Sequence, residues 1–321
     1  MKTDDVSSHN SSVNTLSMTF FFLIAVLIVG FFLGNTQFIG ISRDYANYVA
    51  IFSGLDQTVF LELLYRILLE ITTDYTVVIF TVLLLSLLLK CIFYAKYSSN
   101  TQCLVIFLLY YLLVSTWVLD YTQFRNGLCI SVLIYSMLFL FEKRIKAYYI
   151  SVLLAIATHW SALPFLFLYP YVHHARFRLM GNIIAGGFLF IYVTGLTEQL
   201  ISYIRTFSIG RKIGNDAAVN VINSLSLSFT AWYLIVRHTI KAPANKYFNN
   251  FFYFAILQYI VFAMFSLPVM AFRILEMYFF LMLTIGVFVE QRATNIYLVL
   301  GKVVILLYLA FYYHYLFGVI D

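Results

Sequence analysis

Apolar runs of close to twenty residues follow one another along the chain, separated by short polar links, and that pattern leaves few folds open. The runs lie at 17–34, 75–95, 101–119, 125–141, 147–171, 180–196, 221–237, 249–267, 273–289 and 296–318. A membrane-spanning helix needs about 20 apolar residues. In lipid, each backbone N–H and C=O must be bonded inside the segment, so runs of this kind predict helices. Composition agrees: 63% of residues are hydrophobic and 11% charged, where soluble domains carry about 25% charge. No link is long enough to make a soluble domain. The expectation is an all-α polytopic integral membrane protein, one membrane domain over residues 1–321. It should hold about 10 to 12 transmembrane or half-membrane helices.

Residues 1–16 carry Asp4, Asp5 and a single basic residue, Lys2, with no small-residue cleavage site after the first apolar run. They read as a disordered cytoplasmic tail, and the run at 17–34 as an anchor rather than a signal peptide. Cys91, Cys103 and Cys129 sit in or beside apolar runs without metal-ligand spacing and read as small hydrophobic residues. The net charge of +6 is the excess of 20 lysines and arginines over 14 acidic residues, and it includes the cytoplasmic lysines. No basic stripe interleaved with aromatics accompanies it, so no nucleic-acid partner is expected.

The run at 147–171 is interrupted by His159-Trp160-Ser161 and by Pro164, and both of its flanks, 142–146 and 173–178, are basic. The positive-inside rule wants both flanks cytoplasmic, which predicts a broken-helix hairpin turning at His159. The stretch Ala147–Thr158 rises only about 18 Å, a little over half the hydrocarbon thickness. His159 would then lie inside the membrane, towards its outer half, where broken backbone needs a covering of protein or a cavity. With that hairpin the links alternate, the N-terminus falls inside, and Lys90, Lys96, Lys143, Arg144, Lys146, Arg237, Lys241 and Lys302 are among the cytoplasmic cations. A single crossing by 147–171 would invert everything after it and move the basic link 237–246 outside. The outer side receives two loop regions, 35–74 and 197–220, the first with a re-entrant or interfacial helix near 59–71. Its cations are Arg43, Arg66, Arg125, Arg205, Arg211, Arg273 and one lysine, Lys212. Arginine at bilayer depth is costly, and its planar fork suits phosphate better than an ammonium does.

Several of these residues are candidates for chemistry, each with a plainer alternative. Arg125 opens a helix beside Asn126, so its side chain, the first-turn N–H groups and the helix dipole all favour an anion. A snorkelling arginine, or an Asp120–Arg125 pair closing the turn, is the alternative. His159, with Ser161 two residues on, interrupts a membrane helix and titrates near neutrality. It reads as a base for a hydroxyl or as a structural hydrogen-bonding group. Arg273 opens a helix after Pro268, either as a second phosphate contact or paired with Glu276. Glu62, Arg66 and Glu70 make a charged stripe at helical spacing, with Glu62 the better site candidate. In Arg43-Asp44-Tyr45-Ala46-Asn47-Tyr48, Asp44 offers a carboxylate and Tyr48 a surface on which a sugar can stack. Arg205 and Arg211 sit in a glycine-containing loop, as anion contacts or as solvated charge. The chain has no Gly-x-Gly-x-x-Gly, no Walker loop, no His-Glu-x-x-His and no Asp-x-Asp. Outer carboxylates are too sparse to hold Mg²⁺ or Ca²⁺, so the expected chemistry uses no metal and no cofactor.

Taken together and in order, Arg43-Asp-Tyr-Ala-Asn-Tyr48, Glu62-Leu-Leu-Tyr65, Phe124-Arg125-Asn126-Gly127-Leu128, Ala157-Thr-His159-Trp-Ser161-Ala162 and Phe272-Arg273 resemble the EpsG-like branch of Wzy-type polysaccharide polymerases. The resemblance covers residues 40–290. Relatives often carry Arg-Gln where this chain has Arg125-Asn126, and the amide is retained. It implies a glycosyltransferase of the bacterial inner membrane that serves O-antigen, capsule or exopolysaccharide synthesis. Two undecaprenyl-diphosphate-linked oligosaccharides would meet on the periplasmic side. The growing chain would move en bloc onto a hydroxyl of one new repeat unit, releasing undecaprenyl diphosphate. Arg125, Arg273, His159 and Asp44 would form the catalytic set, with Arg43, Tyr48, Glu62, Asn126, Ser161, Arg205 and Arg211 binding substrate. Besides the bilayer, a chain-length regulator and a flippase are the expected partners. Three other classes share parts of this pattern: a ligase passing the polymer to another acceptor, a membrane acyltransferase built on His159, and a transporter of lipid-linked saccharide.

Overall fold

A computed structural model gives the architecture and describes residues 63–72, 74–98, 101–115, 123–194, 196, 222–264, 268–289 and 295–316. Among them the regular elements are all helical. They are α1 (Leu63–Ile71), α2 (Tyr75–Tyr97), α3 (Thr101–Tyr110), α4 (Phe124–Phe141), α5 (Ile145–Thr158), a 3₁₀ segment (Trp160–Phe167), α6 (Leu168–His173), α7 (Ala175–Val193), α8 (Ser224–Val236), α9 (Ala244–Met264), α10 (Pro268–Phe288) and α11 (Ile296–Leu316). The first apolar run, the 1–16 tail, residues 35–62 and the 197–220 loop lie outside the described residues. With them lie Arg43, Asp44, Tyr48, Glu62, Arg205 and Arg211.

The outward faces of these helices are hydrocarbon. Leu84, Leu85, Leu88 and Ile92 of α2, Ile150, Leu153 and Leu154 of α5, Leu179, Met180, Ile183 and Ile184 of α7, and Leu300, Val304, Leu307 and Phe311 of α11 are all exposed. Contiguous apolar stripes of that size are unstable in water and mark a lipid-facing surface. By length and composition, Val77–Tyr97 and Met270–Phe288 qualify as full spans. At the centre runs α10, whose Met277–Leu283 segment is buried on every side. It packs against α3, α4, α8 and α9. Aromatic rings carry much of that packing, with Tyr278 stacked on Phe165 at 4.8 Å and Phe280 edge-on to Phe107 at 5.4 Å.

Beyond His159 the chain turns back on itself. Tyr148 of α5 donates to the Phe165 carbonyl, and the Tyr148 and Tyr169 rings lie 5.2 Å apart. Tyr169 then donates to the Lys143 carbonyl, and His173 Nε2 bonds the Leu140 carbonyl at 2.9 Å. Residues 165–173 thus retrace, in reverse, the level of 148 back to 140. Pro164 has no N–H with which to bond the Trp160 carbonyl, and the return leg starts as 3₁₀ rather than α-helix. At the far end from His159, basic links gather: His173 packs on Tyr247 at 4.8 Å, Lys143 Nζ lies over the same ring at 5.6 Å, and Arg178 donates to Val172 O.

Two lysines that the sequence assigns to the cytoplasmic surface are instead interior. Lys90 is 0% exposed: its Nζ donates to Ser86 Oγ at 3.1 Å and lies 4.9 Å from the Tyr111 ring centre. Tyr111 opens a π-helical turn, 111–115, that continues α3. Lys302 is 1% exposed, with Nζ 4.0 Å from Cys103 Sγ and 5.9 Å from the Trp232 ring centre. Each sits well inside its helix rather than at an end, so its ammonium is absorbed by hydroxyls, sulfur and ring faces of neighbouring helices. All three cysteines are free thiols, with Cys103 and Cys129 buried and Cys91 half-buried.

Candidate functional site

The site forms where α4 begins and α5 ends. Gln123 precedes α4 without a side-chain bond to the first-turn N–H groups. Its Oε1 accepts instead from Asn126 Nδ2 at 2.7 Å. Asn126 is buried, and its Oδ1 accepts from Ser161 Oγ at 3.0 Å. One amide therefore ties the start of α4 to the first residues after the helix break. Asn126 and Ser161, expected to bind substrate, are here bonded to each other, between Arg125 and His159.

His159 is the hinge. Its backbone is extended (φ −162°, ψ 132°), ending α5 and opening the 3₁₀ segment. Its N–H still closes the last turn of α5 on Ala155 O, and its carbonyl accepts from Ala162. Nδ1 accepts from the Ser161 N–H at 3.2 Å. A backbone N–H is always a donor, so Nδ1 carries no proton, and the neutral ring holds its proton on Nε2. The imidazole proton thus sits on Nε2, while its basic nitrogen is engaged as a helix cap.

Two cations converge on this ring. Arg125, in the first turn of α4, and Arg273 of α10 lie near enough to His159 for their charges to be felt at its ring. Arg125, Arg273 and His159 are all half-buried. The Arg125 guanidinium also lies 6.0 Å from the ring centre of Tyr65, the one buried residue of α1. Arg273 does not open its helix as the sequence suggests. Helix α10 begins at Pro268, which is tolerated at the first helical position because that N–H would be unbonded anyway. Arg273 therefore reaches the site from the second turn. Tyr65 entered the sequence reading only as the end of the Glu62-Leu-Leu-Tyr65 motif and not as a site candidate.

Two delocalised cations, an N–H donor and a helix N-terminus form a set that complements a multiply charged anion. Among the described residues no three His, Cys, Asp or Glu side chains cluster as metal ligands would. The family model for EpsG matches residues 19–321. The chain belongs to the EpsG family. EpsG proteins are associated with glycosyl transfer in polysaccharide biosynthesis, and the helical, apolar-surfaced architecture is that of a membrane protein. No curated protein and no solved structure matches the chain.

Proposed function

We propose that this EpsG-family protein polymerises oligosaccharide repeat units carried on undecaprenyl diphosphate, at the periplasmic face of the inner membrane. The observation that carries this reading is that Arg125, in the first turn of α4, is tied through Asn126 and Ser161 to the helix break at His159, with Arg273 of α10 nearby. A diphosphate leaving group gathers negative charge as its bond to the anomeric carbon breaks, and preorganised cations at that point lower the barrier. In this mechanism a hydroxyl oxygen of the acceptor repeat unit attacks the anomeric carbon of the growing chain. The bond from that carbon to the diphosphate breaks, the hydroxyl proton leaves, and undecaprenyl diphosphate departs.

Arg125 and Arg273 hold the diphosphate, and Nε2–H of His159 donates to one of its oxygens or to the acceptor sugar. Because Nδ1 caps the 3₁₀ segment, the acceptor's proton goes to a carboxylate, for which Asp44 is the candidate. Arg43, Tyr48, Glu62, Arg205 and Arg211 contribute sugar and phosphate contacts from the outer segments. The basic links around Lys143 and Arg178, gathered at the opposite end of the bundle, support a cytoplasmic assignment for that end. The 14 residues of α5 rise about 21 Å, which would bring His159 to the outer part of the bilayer.

The test is incubation of purified protein with a lipid-diphosphate oligosaccharide of the cognate repeat. A ladder spaced by one repeat unit is expected. Transfer of a single block to a different acceptor would replace this reading with a ligase, and no bond formation at all would leave a transporter.

A further inference from the structure

Beside the arginine site an apolar groove of about 580 Å³ opens to the surface between α1, α2, α4 and α5. Leu64, Leu85, Leu128, Val132, Leu154 and Ala157 form much of its wall. Its lining on α4 runs from Leu128 to Phe139 and on α5 from Ala147 to Thr158, a path of about 16 Å along the bundle. The lining includes three hydroxyl side chains, and each hydroxyl is spent on backbone. Tyr135 donates to Leu89 O at 2.9 Å, Ser151 to Tyr148 O at 2.8 Å and Thr158 to Ala155 O at 2.7 Å. The groove therefore presents hydrocarbon to its occupant and has no polar group to offer a sugar.

One end of the groove is the site itself. Thr158 adjoins His159, Leu64 adjoins the Tyr65 that faces Arg125, and Leu128 lies about one turn below Arg125. The other end, at Phe139 and Ala147, reaches towards the basic links. We infer that the groove seats the head-proximal part of the polyisoprenoid tail of a lipid diphosphate whose head lies at Arg125 and Arg273. The inference rests on the proposed reading of that site as a diphosphate centre. A hydrocarbon-lined groove that ends beside two arginines fits an anionic head on an apolar tail, and the proposed reading of the site makes that head a diphosphate. Ala157 and Ala147 then become specificity residues, near and far from the head: their small side chains leave the space the tail fills.

The test uses the full-length protein in nanodiscs with an undecaprenyl diphosphate carrying a photoreactive diazirine in its tail. Adducts are expected on residues 128–139 and 147–158, competed by unlabelled undecaprenyl diphosphate and reduced about tenfold by Ala157→Phe. Ala147→Phe, which fills the far end, should weaken capture of the long tail but not of a short citronellyl diphosphate analogue. Together the two variants cover the chance that one fails to fold. Adducts formed equally by a diazirine phospholipid, or spread over Ile183 and Ile184 of α7, would overturn the proposal. Groove labelling by a protein that makes no polymer would keep the groove and sink the polymerase reading. Polymer without groove labelling would do the reverse.

Discussion

Two groups of buried or half-buried cations in this bundle behave oppositely. At the helix break, Arg125 and Arg273 are half-buried and lie near a common histidine. In mid-bundle, Lys90 and Lys302 are fully enclosed and bonded to side chains of their own fold. Both groups carry the same charge through similar surroundings. The difference is where the charge is spent. Lys90 gives its charge to Ser86 on its own helix and Tyr111 beyond α3, and Lys302 to Cys103 and the face of Trp232, on helices far from it in sequence. The arginines are half-buried beside the helix break, Arg125 in the first turn of α4 and Arg273 in the second turn of α10. An ionisable residue in a membrane protein is a functional candidate by default, and this pair of regions shows that the partners decide which candidates stand.

The sharpest way to break the contrast is to exchange the consequences. Arg125→Ala should lower polymer formation by about 10²–10³, with the melting temperature in detergent unchanged. Arg125→Lys keeps the charge but loses the fork and should recover only part of that loss. Lys90→Ala should do the opposite. Loss of the ammonium takes one partner from Ser86, which keeps Ser131, and leaves a cavity, costing about 2–3 kcal/mol in equilibrium unfolding. Turnover per folded molecule should stay near wild type, and a drop in turnover at unchanged stability would move Lys90 into the site. Asn126→Ala lies between the two groups. It removes the acceptor of Ser161 and should cost about 2 kcal/mol while lowering turnover, because Arg125 and His159 lose their common brace. Lys302→Met should have the smallest effect. The methionine keeps the length, and exchanging a buried charge for an apolar group of similar size often comes out near neutral, within about 1 kcal/mol.

Much of this was legible beforehand, for identifiable reasons. Apolar runs of spanning length gave α2, α4 and α5 nearly to the residue, because in lipid a helix has no backbone alternative. The reversal at His159 followed from basic flanks on both sides of a broken run. The place of Arg125 in the first turn of α4 was legible because a helix start after a polar link is visible in the linear order. The position of Arg273 within its helix was misjudged because Pro268 reads equally as a breaker or as a first residue. Burial of Lys90 and Lys302 was not legible: a lysine near a polar link and one enclosed by other helices look alike until the packing is known. The service of Asn126 and Ser161 to each other, across 35 residues, was hidden for the same reason. So was the capping bond that takes Nδ1 of His159.

The central claim is that Arg125 and Arg273 act as one anion centre around His159. It is tested most directly by a double-mutant cycle on undecaprenyl diphosphate binding, using wild-type protein, Arg125→Ala, Arg273→Ala and the double variant. Each single change should weaken binding by about tenfold or more, and the double variant should lose clearly less than the two losses combined, with a coupling above about 0.5 kcal/mol. Wild-type affinity in either single variant, or strictly additive losses, would contradict the account.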